Sequence, residues 1–319
     1  MQSLSIDCGG TRIKMAVVEA GRILAQTSFD ANADKGLQPV LDKLPGIINE
    51  LCGRSNIATA QLRGIGFTFP GGVDTRRCRA LSTPAGKYDD ALELDLPRWA
   101  ESTCGLPVVM ENDTNAALLG EWHFGAGKGC SNFVMMTLGT GIGTSALIEG
   151  RPLRGVHFQA GFPGGHFVVK LDGKPCNCGN FGCAETEAST WALPEIITSD
   201  PLFENSGFSK GVPLDYKSVF ELAREGDKLA GQIKERSIKV WAAVLMNLTH
   251  AFDPEMIVLG GGIMRSSDQI LPALQKAAAA NGWSNWGTVQ VRKAAHPETA
   301  GLLGMHYALQ QKLENAGTA

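Results

Sequence analysis

The chain has 319 residues, a formal net charge of -3, 44% hydrophobic and 19% charged residues. That balance describes a globular protein long enough for two domains, and it excludes a basic field for nucleic acid and an acidic tail. No apolar run is long enough to span a bilayer, and Met1 leads into a predicted strand without a basic, apolar leader, so a cytoplasmic location is expected. Glycine is the unusual component: its 39 residues cluster in short loops between apolar runs, the pattern of ligand sites lined by backbone. Of eight cysteines, Cys8, Cys52, Cys78, Cys104 and Cys130 are scattered, as reduced thiols of a cytosolic protein are.

Residues 4–7 are an apolar run ending in an acid, followed by Gly9-Gly10-Thr11; residues 13–18 and 22–28 read as the next strands, with Glu19-Ala20-Gly21 as their turn. Asp7 at a strand end, beside a glycine turn with free N–H groups, suits a metal-bound phosphate. An ordinary hairpin fits the same residues equally well. Residues 37–52 have helical spacing, with Pro45 as a kink or break. Residues 63–69 form the next strand, before the tight loop Pro70-Gly71-Gly72-Val73-Asp74, and residues 92–103 are helical in pattern with Pro97 near the start. Residues 106–110 are a buried-type strand running into Glu111-Asn112-Asp113-Thr114-Asn115. Thr114 or Asn115 is the expected cap of a helix over residues 116–124. A cap accounts for one polar residue, not for five in a row. A carboxylate at the mouth of a strand with amides beside it suits a general base for a substrate hydroxyl, and Asp113 is that candidate.

Residues 132–138 are a second strong strand, followed by Gly139-Thr140-Gly141-Ile142-Gly143-Thr144 and a return strand over 146–149. A dinucleotide-binding Gly-x-Gly-x-x-Gly turn opens a helix and carries a third glycine; neither condition holds here. The segment is a second phosphate-cradling hairpin, so strand, glycine turn and strand occur once in each half. His166 then precedes Cys176, Cys178 and Cys183, the Cys₃His composition of a closed structural zinc site. A disulfide would pair two thiols and leave the third over; thiols that merely pack are the plainer alternative. With ligands and turn in one short segment, the metal is expected to fix a loop rather than nucleate a domain. Residues 185–197, 217–224 and 227–252 have helical spacing. Residues 256–259 are a buried strand ending in Gly260-Gly261-Gly262, where a ring or ribose can lie close to the backbone. A helix over 271–280, a strand over 289–293 and a helix over 299–313 complete the chain.

These residues resemble the ROK family of sugar kinases and sugar-responsive repressors from Ile6 to about Ala308. Asp7-Cys8-Gly9-Gly10-Thr11 and Leu138-Gly139-Thr140-Gly141-Ile142-Gly143 are similar to its two phosphate motifs, and Glu111-Asn112-Asp113 with Asn115 to its catalytic segment. Gly165-His166 followed by Cys176-x-Cys178-Gly-x-x-Gly-Cys183-x-Glu185 is like its zinc signature residue for residue. The resemblance implies an α/β fold: the two-domain actin-like ATPase (ribonuclease H-like) fold with an interdomain cleft. The expected domains are 1–118, completed by the C-terminal helix at about 299–319, and 119–298 with the zinc loop. The implied activity is ATP- and Mg²⁺-dependent phosphorylation of a hexose, usually at the 6-hydroxyl, with Asp113 as base and Asp7 anchoring hydrated Mg²⁺. Gly9, Gly10, Thr11, Gly139, Thr140 and Gly141 would hold phosphates, and Gly260 and Gly261 the adenosine. Gly71, Asn112, Asp113, His166 and Glu185 would hold the sugar, His166 using one ring nitrogen on structural Zn²⁺ and the other on the sugar. The family's repressors carry an N-terminal helix-turn-helix; here the first phosphate strand begins almost at Met1, so no such module is expected. The implied partners are sugar, nucleotide and a second copy of the chain, with no nucleic acid and no membrane.

The chain departs from the family in one place that bears on the substrate. The usual Ala-Gly-Glu-x-Gly-His becomes Ala160-Gly161-Phe162-Pro163-Gly164-Gly165-His166, with no carboxylate and one extra residue. A charged partner at such a spot is worth roughly 1.5–3 kcal/mol. Residues 82–96, where family members often place an Asn near a Trp for the sugar, also differ, and Lys87, Asp89 or Asp90 are the candidate replacements. Two other functions stand beside the kinase: a sugar or nucleotide sensor that lost turnover, and a kinase using another phosphoryl donor such as polyphosphate. The intact Asp7, Asp113 and glycine turns favour the enzyme, since a sensor needs no catalytic base.

Overall fold

The structure is a computed structural model that describes residues 1–283 and 285–316. It divides into two compact units, one of Met1–Gly129, Arg154–Ala160 and Glu298–Ala319, the other of Cys130–Leu153 and Gly161–Pro297.

In the first unit β1 (Gln2–Cys8), β2 (Arg12–Glu19) and β3 (Arg22–Asp30) form an antiparallel meander. The helical stretch expected over residues 37–52, with a kink or break at Pro45, is two helices, α1 (Gln38–Leu41) and α2 (Leu44–Arg54), which break just before Pro45. Pro45 lies in the first turn of α2, where the N–H it lacks would have had no helical acceptor. β4 (Leu62–Phe69) pairs with β1 in parallel. A small hairpin, β5 (Val73–Asp74) and β6 (Arg79–Ala80), and helix α3 (Leu96–Cys104) lead to β7 (Val108–Asn112). Asp95 caps α3 by accepting the Arg98 N–H, so the helix starts later than residue 92. The sheet order is β3-β2-β1-β4-β7. β1 and β4 are central and buried along most of their length, hence their apolar runs, whereas edge strand β3 is mostly exposed or half-buried. α4 (Asp113–Phe124) leaves β7 without an intervening loop.

The second unit repeats the plan. β8 (Phe133–Leu138), β9 (Ile142–Ile148) and β10 (Arg151–Pro152) are antiparallel. After α5 (Ala184–Ala188), α6 (Leu193–Thr198), α7 (Tyr216–Arg224) and α8 (Lys228–Phe252) come β11 (Met256–Gly260), α9 (Ser267–Asn281) and β12 (Gln290–Lys293). The order β10-β9-β8-β11-β12 matches the first sheet strand for strand, with β11 and β12 parallel to β8. Its core centres on Trp241, fully buried, whose indole N–H donates to the Ala188 carbonyl at 2.9 Å. The single helix expected over residues 185–197 is interrupted between α5 and α6. In the gap the N–H groups of Thr190 and Trp191 donate to the carbonyls of Gly139 and Thr140, each at 3.1 Å. Helical continuity yields there to a brace beneath the second glycine turn.

α10 (Ala300–Ala316) belongs to the first unit and packs along α4. A Cβ on Gly304 would stand 1.8 Å from the Ala116 carbonyl oxygen, and one on Gly120 2.0 Å from that of Ala300, so only glycine allows this approach. The domain boundary expected at 118/119 therefore falls elsewhere. It would cut α4, which packs as one piece on α10; the first unit runs on to Gly129 and also takes in Arg154–Ala160. No described helix is long and apolar enough to cross a membrane.

Candidate active site

The first unit gathers two carboxylates and a glycine turn at one end of its sheet. The Thr68 hydroxyl, from β4, donates to Asp7 Oδ1 at 2.8 Å and accepts the Cys8 N–H at 3.1 Å. The Gly9 N–H closes on the Arg12 carbonyl at 3.1 Å, while those of Gly10 and Thr11 meet no acceptor among the described residues. Asn112, rather than Thr114 or Asn115, caps α4. Its extended backbone (φ -60°, ψ 145°) lets Oδ1 accept the N–H groups of Thr114 and Asn115 at 3.0 and 3.2 Å. Its Nδ2 donates to the Gly71 carbonyl at 3.1 Å, which ties the loop after β4 to the cap. Asp113 is thus the first residue of the helix, and its Oδ1 accepts the Thr114 N–H at 2.8 Å. Burial first, then the charge of Asp7, pushes the Asp113 carboxyl up to about 6. Burial raises Asp7 as well, against the Thr68 hydrogen bond that lowers it. Burial thus raises both carboxyls, and the charge of Asp7 adds to the rise at Asp113.

Glu111, only 3% exposed, organises this segment. Its Oε1 accepts from the Asn112 N–H at 3.0 Å and from Asn115 Nδ2 at 3.2 Å. Its Oε2 takes Arg154 Nε and Nη2 at 3.0 and 2.6 Å. Sequence reading did not single out Arg154: a lone arginine in a loop carries no signal, and only the inclusion of Arg154–Ala160 in this unit brings it to Glu111. Of the three candidates in residues 82–96, Asp90 accepts the N–H groups of Leu37 and Gln38 at 2.6 and 2.8 Å and so anchors the start of α1. Asp89 is exposed and accepts the Thr83 hydroxyl at 3.4 Å. Lys87 lies against Gly10.

In the second unit the Gly139 N–H closes on the Gly141 carbonyl at 3.0 Å. Glu185, from α5, reaches this turn: Oε2 accepts the Ile142 N–H at 2.9 Å and Oε1 the Trp191 indole N–H at 3.0 Å. A Cβ on Gly141 would come 2.5 Å from Glu185 Oε2, so glycine is required for the peg to fit. Glu185 is therefore a brace of the second turn, with a lone pair left on each oxygen for a hydroxyl donor. Gly260–Gly262 come at the end of β11, parallel to β8, and a Cβ on Gly261 (φ 87°) would stand 2.3 Å from the Leu138 carbonyl oxygen.

His166, Cys176, Cys178 and Cys183 converge, their ligand atoms all within 4.8 Å of one another. Cys178 Sγ and Cys183 Sγ are 3.6 Å apart, as are Cys176 Sγ and His166 Nδ1. The edges of a tetrahedron around zinc, with bonds of about 2.3 Å to sulfur and about 2.0 Å to nitrogen, measure about 3.5–3.8 Å, so the four residues fit that ion. α5 begins directly after Cys183, so the loop that collects the thiols also sets Glu185. The segment without the glutamate forms a short 3₁₀ turn, Phe162–His166, held by Thr144, whose hydroxyl donates to the Gly161 carbonyl and accepts the Gly164 N–H.

Two sheets of like topology, each carrying a glycine turn between its first two strands, define an α/β protein of the two-domain actin-like ATPase fold. The chain belongs to the ROK family, whose model matches residues 3–312. It is 31% identical to a glucokinase of Thermotoga maritima, over 98% of each chain. Among solved structures it is similar to a ROK family glucokinase from Streptomyces griseus in complex with glucose and AMPPNP (29% identity, TM-score 0.80, 98% of this chain and 100% of that one). It is also similar to a ROK hexokinase from Thermus thermophilus (28% identity, TM-score 0.78, 99% and 100% covered).

Proposed function

We propose that this protein is an ATP-dependent kinase that phosphorylates the 6-hydroxyl of a hexose. One observation carries the reading: Asp113, with its carboxyl pushed up to about 6, heads α4 in the same unit as Asp7 and a turn with unengaged N–H groups. The glucokinase relative from Thermotoga maritima and the Streptomyces griseus enzyme, which holds glucose and AMPPNP, support it.

In this mechanism Asp113 accepts the proton of the sugar hydroxyl as the hydroxyl oxygen bonds to the terminal phosphorus and the bond from that phosphorus to ADP breaks. Asp7, steadied by Thr68, would hold the hydrated Mg²⁺ of the nucleotide, which would supply charge neutralisation. The Gly9–Thr11 and Gly139–Gly141 turns hold phosphates, and Gly260 and Gly261 the adenosine end. Gly71, Asn112, Asp113, His166 and Glu185 are the residues assigned to the sugar; Asn112 keeps one Nδ2 hydrogen for this after bonding Gly71. His166, Cys176, Cys178 and Cys183 would hold structural zinc, which would fix the His166 ring with one nitrogen on the metal and the other turned to a sugar hydroxyl. Free thiols throughout suit a reducing cytoplasm.

The test is a coupled assay of ADP release across glucose, mannose, fructose, allose and N-acetylated hexosamines, run in parallel with polyphosphate as donor. Turnover with ATP on at least one hexose is expected. Turnover with polyphosphate alone would replace the donor, and none with either would make the protein a sensor.

A further inference from the structure

A cation rests on the first phosphate turn that the hairpin itself does not require. A Cβ built on Gly10 would lie 3.1 Å from Lys87 Nζ and 3.5 Å from its Cδ. The backbone around Lys87 is pinned on three sides. Its own N–H donates to the Pro84 carbonyl at 3.0 Å, and the Tyr88 N–H to the Ala33 carbonyl at 2.8 Å. The hydroxyl of Tyr88, a fully buried residue, donates to the Gly9 carbonyl at 2.8 Å and so fastens the loop to the turn itself.

The charge of Lys87 is not neutralised where it stands. Its side chain is half-buried, yet Nζ makes no hydrogen bond or ion pair among the described residues. Lys14, on the strand that leaves the same turn, closes on Glu298 at 2.9 Å instead. The acids in the loop of Lys87 are engaged, Asp90 by two N–H groups and Asp89 by a hydroxyl. An ammonium group beside a turn whose Gly10 and Thr11 N–H groups meet no acceptor among the described residues puts three donor groups on one short stretch of chain, the composition of an anion site. A Cβ at residue 10 would press on Nζ, which would have to give by a few tenths of an ångström.

We propose that Lys87 is a further catalytic residue, binding an oxygen of the phosphoryl group that is transferred. The proposal rests on the kinase reading above, and the ligand it names is the terminal phosphoryl of a nucleoside triphosphate or of a polyphosphate. In transfer the negative charge spreads over the equatorial phosphoryl oxygens, so a fixed cation there serves the transition state as well as binding. This takes Lys87 from the sugar, for which the sequence made it a candidate, to the phosphoryl donor.

The test compares the full-length wild type with Lys87→Met and Lys87→Arg, by calorimetric titration with AMPPNP, ADP, tripolyphosphate and the best sugar of the panel, and by kcat with ATP. Removing a charged contact is expected to weaken AMPPNP and tripolyphosphate about tenfold or more while ADP changes less than about threefold. The sugar Kd stays put, kcat falls about 10–100-fold, and the arginine restores most of both. An unchanged unfolding temperature shows that the fold is intact. AMPPNP affinity and kcat within about threefold of wild type in Lys87→Met overturn the proposal, as does a weakened sugar Kd with unchanged AMPPNP binding, which returns Lys87 to the sugar. A wild type that turns over no sugar with either donor overturns the kinase reading itself, whereas an active wild type with an indistinguishable methionine variant overturns only the role of Lys87.

Discussion

Arg154 sets Nε and Nη2 on one oxygen of Glu111, at 3.0 and 2.6 Å, while the other oxygen of Glu111 accepts the amide of Asn112, the residue before Asp113. The side chain of Glu111 is 4% exposed, so losing the arginine leaves a buried carboxylate uncompensated, at a cost of about 3 kcal/mol or more. Arg154→Ala is expected to lower the unfolding temperature and, by loosening the cap of α4, to lower kcat. Glu111→Gln combined with Arg154→Ala restores stability better than activity. A double variant no more stable than Arg154→Ala would show that the buried charge is not the cause.

Asp113→Asn is expected to lose turnover and keep its fold, because the amide preserves the acceptor for the Thr114 N–H and removes the base. General-base catalysis alone contributes about 10²–10⁴-fold. A variant that retains more than about a tenth of the wild-type kcat lies outside that range and removes Asp113 from the role.

The raised carboxyl of Asp113 makes two pH predictions. Its value rises from 3.8 to about 6 on folding, so between those values the native state binds more protons than the unfolded chain. Stability from this group is therefore full at low pH and is lost as the pH rises toward 6. Asp113→Asn should melt higher than wild type above pH ~7, with the gap closing below pH ~4. The acid limb of kcat/KM should fall near 6, since the free enzyme must ionise Asp113 to act. An acid limb below pH ~5 would mean that another group is the base.

One zinc per chain is expected on His166, Cys176, Cys178 and Cys183, measured by elemental analysis of protein purified without added metal. Cys178→Ser should lose the metal and sugar binding together. It should weaken nucleotide binding as well, because Glu185, set by this loop, holds the Ile142 amide of the second turn. Normal sugar and nucleotide binding in that variant would reduce the metal to a bystander.

Phe162-Pro163-Gly164 offers no charged acceptor where the family has its glutamate. The loss of roughly 1.5–3 kcal/mol should raise the glucose KM by about 10–100-fold over that of a glutamate-bearing site, or shift preference to another hexose. Steady-state kinetics over the hexose panel decides between them. A low micromolar glucose KM with sharp rejection of the other sugars would mean that a different side chain replaces the glutamate.

Much of this protein was legible in the chain itself. The twin strand–turn–strand hairpins, the glycine run after β11 and the Cys/His cluster are local signals, set by side-chain alternation, turn chemistry and ligand spacing over a few residues. Asp113 stood out for the same reason, as a carboxylate that capping alone does not explain. Its surroundings were not. The capping Asn112 also bonds Gly71, a residue far back in the sequence. That residues 185–197 do not form one helix follows from hydrogen bonds to Gly139 and Thr140, which helical spacing cannot anticipate. The Arg154–Glu111 pair, the Glu185 peg and the Gly120–Gly304 approach likewise join segments far apart in the sequence. Where two local conformations differ by less than one hydrogen bond, about 1 kcal/mol, a partner from elsewhere in the chain decides between them, and only the tertiary structure supplies that partner.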